Sequence, residues 1–307
     1  MSALQALGRT LNVIILALAL AAPAAAEDFP LATGESGPSV TSAELGLEKI
    51  RTAAALVYHT PDSVPLARQV AAVLEKTHRS VHALLGIPVK VHGVVLYSDP
   101  RRLPPRARGA YWLHIDGASC LVRQADGADL ASAPDDFHRL LFFMLAHEAS
   151  DPGIKAALFS DRLTQDSASS RWWIEGLSDY AAAQAARRLD RRALAEVKKT
   201  YREQLDRLAV ATLDLESGAT WWPKGSRGPD DIQYSYAAAH YAIAALCAKH
   251  GQGWIAQTLA RLRREGKGQK TTSADFCRVA GSLTGEDVGA LVRTVRLDAV
   301  RAFVDSL

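Results

Sequence analysis

The sequence predicts an α+β chain in two parts: a first part, 46–186, that mixes strands with helices, and a second, 187–307, that is mainly helical. Three observations carry this. Short β-branched runs alternate with one long 3.6-period segment between residues 53 and 124. An apolar run (Leu140, Leu141, Phe143, Met144, Leu145) then leads into adjacent His147 and Glu148, and a second helical segment, RWWIEGLSDYAAA, presents Glu175 and Asp179 four residues apart. From about residue 187 the apolar spacing turns helical and stays so.

The elements follow in order. Residues 1–26 hold one positive charge at Arg9, the apolar core VIILALALAA, a helix-breaking Pro23, and Ala24-Ala25-Ala26 ahead of Glu27. That is a secretory signal with an A-x-A cleavage site, and it predicts a periplasmic or secreted product. Its apolar core is too short to span a bilayer and no second candidate follows, so no membrane insertion is expected once it is removed. Residues 27–45, rich in Gly, Ser, Pro and Thr, read as a flexible lead-in.

Ala53 to Tyr58 reads as a strand. Pro61 to Ser63 opens a helix whose Leu66, Val70, Val73, Leu74, Val81 and Leu84 keep the helical period up to Gly86. VKVHGVVLYS is a second strand, and AYWLHI and ASCLVRQ, joined by Asp116-Gly117, give the clearest hairpin signal in the chain. In the second half, ARRLDRRALAEVKKTYREQLDRLA is one charged amphipathic helix, most simply a surface element. LESGATWWPKGSRGPDD is a long loop whose Trp221 and Trp222 either cover a cleft or pack on the surface, and IQYSYAAAHYAIAALCAKHG is a helix stopping at Gly251. Helices at Trp254–Glu265, Ser273–Val279 and Glu286–Val304 complete the chain.

Only the stretch from Phe137 to Tyr180 reads as chemistry. On a helix, residues i and i+4 share a face, while residue i+1 lies about 100° around the axis. His147 and position 151 are therefore placed to share an ion while Glu148 reaches over it. HEASD followed by RWWIEGLSDYAA resembles the gluzincin metallopeptidases, in particular the bacterial peptidase MA-like group, whose pattern is an HExxH helix, a variable loop and a WxxEGLAxY helix. The resemblance implies a two-lobed zincin-like fold, one bound Zn²⁺ and a peptide or protein substrate. It makes His147 the first zinc ligand, Glu148 the general base and Glu175 the third ligand. Asp179 matches the position that holds the first zinc His from behind, fixing its tautomer. Tyr236, on the tyrosine-rich helix that follows the site, is carried over as a donor to the transition-state oxyanion.

One departure stands out. Where the family has its second His, this chain has Asp151, and Pro152 follows it. Asp is a competent oxygen ligand but shorter than His, and a residue before proline is pushed away from the α region, so the helix is expected to end near Ser150. Two carboxylates also cancel the charge of a dication, which makes the bound water less acidic and relaxes the preference for zinc over harder ions. Two functional readings follow: a zinc-dependent peptide hydrolase weakened by Asp151, or a decayed peptidase fold serving as a binding or scaffolding module. A third reading, that His147 and Glu148 merely cap a core helix, leaves the WWIEGLSDY segment unexplained.

Other chemistries fare worse. The net charge of +3, which loses Arg9 with the signal, is too small to argue for nucleic acid or an anionic membrane. The arginine clusters at 101, 102, 106 and 108 and at 187, 188, 191 and 192 read as solvated charge. There is no GxSxG elbow or phosphate loop, and Gly251-Gln252-Gly253 follows a helix rather than a strand. Cys120, Cys247 and Cys277 show no CxxC spacing; Cys247 and Cys277 fall on two predicted helices and are candidates to pair in an oxidising compartment. His78 and His82 are spaced for a shared metal but have no acidic partner.

Overall fold

The computed structural model describes Phe29, Ala32 and residues 38–99, 101, 103, 105–108, 110, 112–124, 129–159, 168–221, 233–266 and 271–307. The expected signal at 1–26 lies outside the described residues. Its six principal strands are β1 (Ser39–Val40), β2 (Glu48–Arg51), β3 (Leu56–His59), β4 (Gly93–Tyr97), β5 (Trp112–Ile115) and β6 (Ala118–Gln124). They form one mixed sheet in the order β1-β5-β6-β4-β3-β2, with β3, β4 and β6 running parallel.

Because successive side chains on a strand point to opposite faces, each central strand feeds two cores. Val57, Val94, Leu96 and Leu121 join the large core under the helices, whereas Leu56, Tyr58, Val95, Cys120 and Val122 join a small one on the far face. The β5–β6 hairpin turns on Asp116 (φ 50°) and Gly117 (φ 84°), the positive-φ pair that matches the twist of an antiparallel ribbon. Within the lead-in, Phe29 and Ala32 are buried, and β1 adds to the sheet edge beside β5. The strand expected from Ala53 begins only at Leu56, because Thr52 N–H donates to Ala55 O and closes the turn from β2.

The first long helix, α1 (Val64–Leu85), lies on the large-core face and ends at Gly86, whose φ of 67° is the left-handed stop that glycine allows. Next come α2 (Asp135–Arg139), a π-turn (Leu140–Met144) and α3 (Leu145–Leu158). Here the sequence expectation fails, since α3 does not end near Ser150 but runs through Pro152. The neighbouring chain compensates: Lys90 N–H donates to Ala149 O at 3.0 Å, and Gly153 packs so close to Pro88 that a Cβ there would lie 2.7 Å from its carbonyl oxygen. Tertiary packing thus overrides the local preference against a helix at Pro152.

The centre of the molecule is α4 (Ala168–Leu189), buried on nearly every side from Ser170 to Ala186. The charged segment after it is not one helix, because Asp190 breaks it and caps α5 (Arg191–Leu205) by accepting from Arg192 N–H. The remaining helices are α6 (Gly218–Trp221), α7 (Gln233–His250), α8 (Gly253–Gly266), α9 (Ser273–Thr284), α10 (Val288–Arg293) and α11 (Leu297–Ser306). A single helix over 286–304 is therefore also incorrect: Thr294 leaves the helical region (φ −132°, ψ 43°), and β8 (Val295–Arg296) pairs with β7 (Thr212–Leu213) before α11 begins. Cys247, buried, and Cys277, half-buried, are free thiols, so the candidate pair is not joined. The apolar core runs unbroken from the sheet through α3 and α4 to α11. Among the described residues no helix is long and apolar enough to cross a membrane.

Two expectations follow. A Cβ on Gly176 in α4 would lie 2.6 Å from Ala239 O on α7, a backbone atom that cannot swing aside. Gly176→Ala should therefore lower stability by about 1–3 kcal/mol in a denaturant titration. Burial also lowers the pKa of both His78 and His240 to about 4. A histidine with a depressed folded pKa is protonated first in the unfolded chain, so its contribution is intact above about 6.5 and drains as pH falls towards 4. Melting temperature should drop across that window, less than the two histidines alone would give because Asp151, raised to about 6, is favoured in its protonated form on folding, and His240→Leu should make the drop clearly smaller.

Candidate active site

The site is made by four helices meeting at His147. α3 supplies His147, Glu148, Asp151 and Lys155; α4 supplies Arg171, Glu175 and Asp179; α5 supplies Tyr201; α7 supplies Tyr236. Because α3 stays helical through Pro152, His147 and Asp151 do stand one turn apart on one face, as do Glu175 and Asp179 on α4.

His147 is gripped from both sides. Its Nδ1 is 2.8 Å from Asp179 Oδ1 and its Nε2 is 3.2 Å from Glu175 Oε2. The Tyr201 hydroxyl donates to the other oxygen of Asp179 at 2.7 Å, so both Asp179 oxygens are engaged and the carboxylate cannot turn. Burial works against a charged imidazole, but Asp179 and then Glu175 outweigh it and hold the His147 pKa well above its ordinary value. An imidazole fixed through Nδ1 leaves Nε2 as the nitrogen that faces a ligand.

Two cations lie against the carboxylates. Lys155 Nζ is 2.9 Å from Asp151 Oδ2, and Arg171 Nε is 3.3 Å from Glu175 Oε1. The second oxygen of Asp151, Oδ1, is buried and has no hydrogen-bond partner among the described residues. Burial, with the nearby Glu175 charge, raises the Asp151 pKa to about 6 although Lys155 pulls the other way.

Tyr236 stands with its ring 6.2 Å from that of His147, and its hydroxyl oxygen accepts from Arg171 at 2.8 Å. Burial and Glu175 push its pKa up to about 12, so it keeps its proton. Arg171 is in turn seated over the ring of Trp221, 5.6 Å from the centroid. Trp221 is no lid: it is fully buried and its indole N–H donates to Leu215 O. Trp222 lies outside the described residues. A cavity of about 300 Å³ opens beside these groups, lined by Phe143, Met144, His147, Glu148 and Tyr236 among others.

All the residues singled out in the sequence, His147, Glu148, Asp151, Glu175, Asp179 and Tyr236, thus fall in one neighbourhood. Asp151 is the one turned aside, towards Lys155. As the side chains stand, no three His, Cys, Asp or Glu among the described residues are close enough together to hold a metal ion. His78 and His82 each hold Nδ1 against a backbone carbonyl, of Ala54 and of Ile87, and neither belongs to a group of three metal-ligating side chains among the described residues. The sequence reading missed Lys155, Arg171 and Tyr201. The first two were readable as i,i+4 partners of Asp151 and Glu175, and Tyr201 as the end of the stripe Leu194, Val197, Tyr201.

No protein-family model matches the sequence, and neither does any curated protein. Among solved structures, the chain is similar to an M1 zinc metallopeptidase of Deinococcus radiodurans with a bound Tyr-Ser-Ala substrate, at 17% identity and a TM-score of 0.40. It is similar also to a two-domain M1 zinc metallopeptidase with bound L-tryptophan, at 16% identity and a TM-score of 0.41. Both matches cover 90% of this chain and 52% of the other, so the chain spans about half the length of those enzymes. At that distance the likeness carries no argument about chemistry.

If the Tyr201 hydroxyl fixes Asp179, Tyr201→Phe leaves a buried carboxylate oxygen unsatisfied. It should cost about 1–3 kcal/mol in a denaturant titration.

Proposed function

We propose that this chain is an exported, gluzincin-like hydrolase of peptide bonds whose site takes one divalent cation, zinc, between His147 and Glu175, with Asp151 as a further ligand. The observation that carries the reading is the grip on His147: Nδ1 is engaged by Asp179, and Nε2 meets the Glu175 carboxylate at 3.2 Å. A neutral imidazole nitrogen and two carboxylates are a competent donor set for zinc. The buried, unpartnered Oδ1 of Asp151 supports the fit, because an orphaned carboxylate oxygen at such a place is an unmet demand for a cation or donor.

When bound, the cation would act as a Lewis acid on the substrate carbonyl and increase the acidity of a water. The chain's own groups do the rest. Asp179, locked by Tyr201, keeps the His147 ring in place. Glu148, adjacent to His147 and lining the cavity, takes a proton from the attacking water and passes it to the departing amine. Tyr236 remains protonated, and because its oxygen already accepts from Arg171, its own hydrogen is available to the oxyanion that forms on the substrate carbonyl.

A second reading, a binding or scaffolding module that has lost hydrolysis, is favoured by one observation: Lys155 already engages the carboxylate that the cation needs. The two are separated with a fluorogenic peptide library and the mature protein. Hydrolysis should stop on dialysis against chelator and return with zinc, and Glu148→Gln should lower turnover by roughly 10²–10⁴-fold while metal content and melting temperature stay unchanged. An unaltered rate in Glu148→Gln would remove Glu148 from the mechanism. A zinc-loaded wild type that cleaves nothing but still binds peptides would establish the second reading.

A further inference from the structure

We propose that Lys155 is an internal competitor for the cation: its ammonium holds Asp151 in a closed position, and a dication enters the site only by displacing it. The proposal rests on the reading that the site takes a dication, and it assigns to Lys155 a role in metal loading that no sequence motif carries.

The argument is one of charge and geometry. Asp151 on α3 has a buried carboxylate oxygen without a hydrogen-bond partner, and Glu175 on α4 is a second buried carboxylate. A pair of this kind needs positive charge beside it when no metal is present. The chain provides that charge from its own helices: Lys155 lies one turn beyond Asp151 on α3, and Arg171 one turn before Glu175 on α4. The two cations are not equivalent. Arg171 is fixed by a hydrogen bond to Tyr236 and by the Trp221 ring, and its ion pair is with the Glu175 oxygen opposite to the one that meets His147. It therefore leaves the metal-facing side of Glu175 clear. Lys155 has a flexible stem, and its side chain keeps 21% of its exposure, so the ammonium can be released to water.

Asp151 and Lys155 belong together. A histidine at 151 would offer Lys155 no carboxylate, and the ammonium would face a metal without a counter-charge. With Asp151 present, the site is neutralised without metal and the fold has no need of it. Metal occupancy then becomes conditional: zinc gains Asp151 only after the Lys155–Asp151 hydrogen bond is broken, which sets a lower affinity than the same ligands would give alone.

The test is a zinc titration of chelator-stripped mature protein by isothermal calorimetry, with Zn²⁺ alone as the probe. Lys155→Met should bind zinc about tenfold more tightly than wild type, the scale of one charge-assisted hydrogen bond to a partly buried carboxylate. Adding Asp151→Asn to that variant should abolish the gain. Lys155→Gln, which keeps the length and removes the charge, should show the same direction, and melting curves of every variant confirm that it is folded. Equal zinc affinity in folded wild type, Lys155→Met and Lys155→Gln would overturn the role of Lys155 and leave the metal site standing. Absence of zinc binding in all of them, with His147→Ala indistinguishable from wild type, would overturn both.

Discussion

The hydrogen bond between His147 Nδ1 and Asp179 Oδ1 is the contact on which the rest of the site depends. It spans 32 residues and joins α3 to α4, the two helices that carry most of the candidate site residues. Asp179 is buried, so it had to be given partners. One is His147; the other is Tyr201 on α5, which takes the remaining oxygen. The ring so fixed turns Nε2 towards Glu175, and Tyr236 on α7 completes the enclosure. Four helices are placed by the needs of one imidazole and one carboxylate. The α4–α7 contact that brings Tyr236 close needs Gly176, because any side chain there would meet the Ala239 carbonyl. The glycine between Glu175 and Asp179 is thus a packing requirement of the site rather than a flexible point.

Much of the fold was legible because local signals and tertiary structure agree. The Asp116-Gly117 turn, the Gly86 stop and the apolar period of α1 each state a backbone geometry that only a few residues adopt. What was not legible came from contacts distant in sequence. β1 is a two-residue strand whose only cause is the edge of β5, and nothing in its composition announces it. The helix through Pro152 is the sharper case. Local preference ends α3 before the proline, and the 88–90 segment, by donating to Ala149 O and seating Gly153, carries it on to Leu158.

The same division runs through the site. His147, Glu148, Glu175 and Asp179 were visible because their spacing is the spacing of helix faces. Tyr236 rested on family resemblance alone, and it stands beside His147. Tyr201 was hidden in a segment read as surface, since a helix with so many charges looks solvated unless its one apolar stripe is followed to the end. Lys155 and Arg171 were hidden for another reason. Cations near a suspected metal site are easily read as solvated charge, whereas here they engage the very carboxylates in question.

The carboxylate at position 151 therefore has a consequence beyond its place as a candidate ligand. It puts a negative charge one turn from His147, and a low-dielectric interior cannot leave that charge unanswered. The answer in this chain is a lysine one turn away, long enough to reach Asp151 and mobile enough to leave it. Arg171, braced by Tyr236 and Trp221, does the corresponding work for Glu175 without blocking it. On the proposed function, peptide turnover is decided by the competition between an ammonium and a dication for one carboxylate, and that competition depends on the concentration of free metal around the protein.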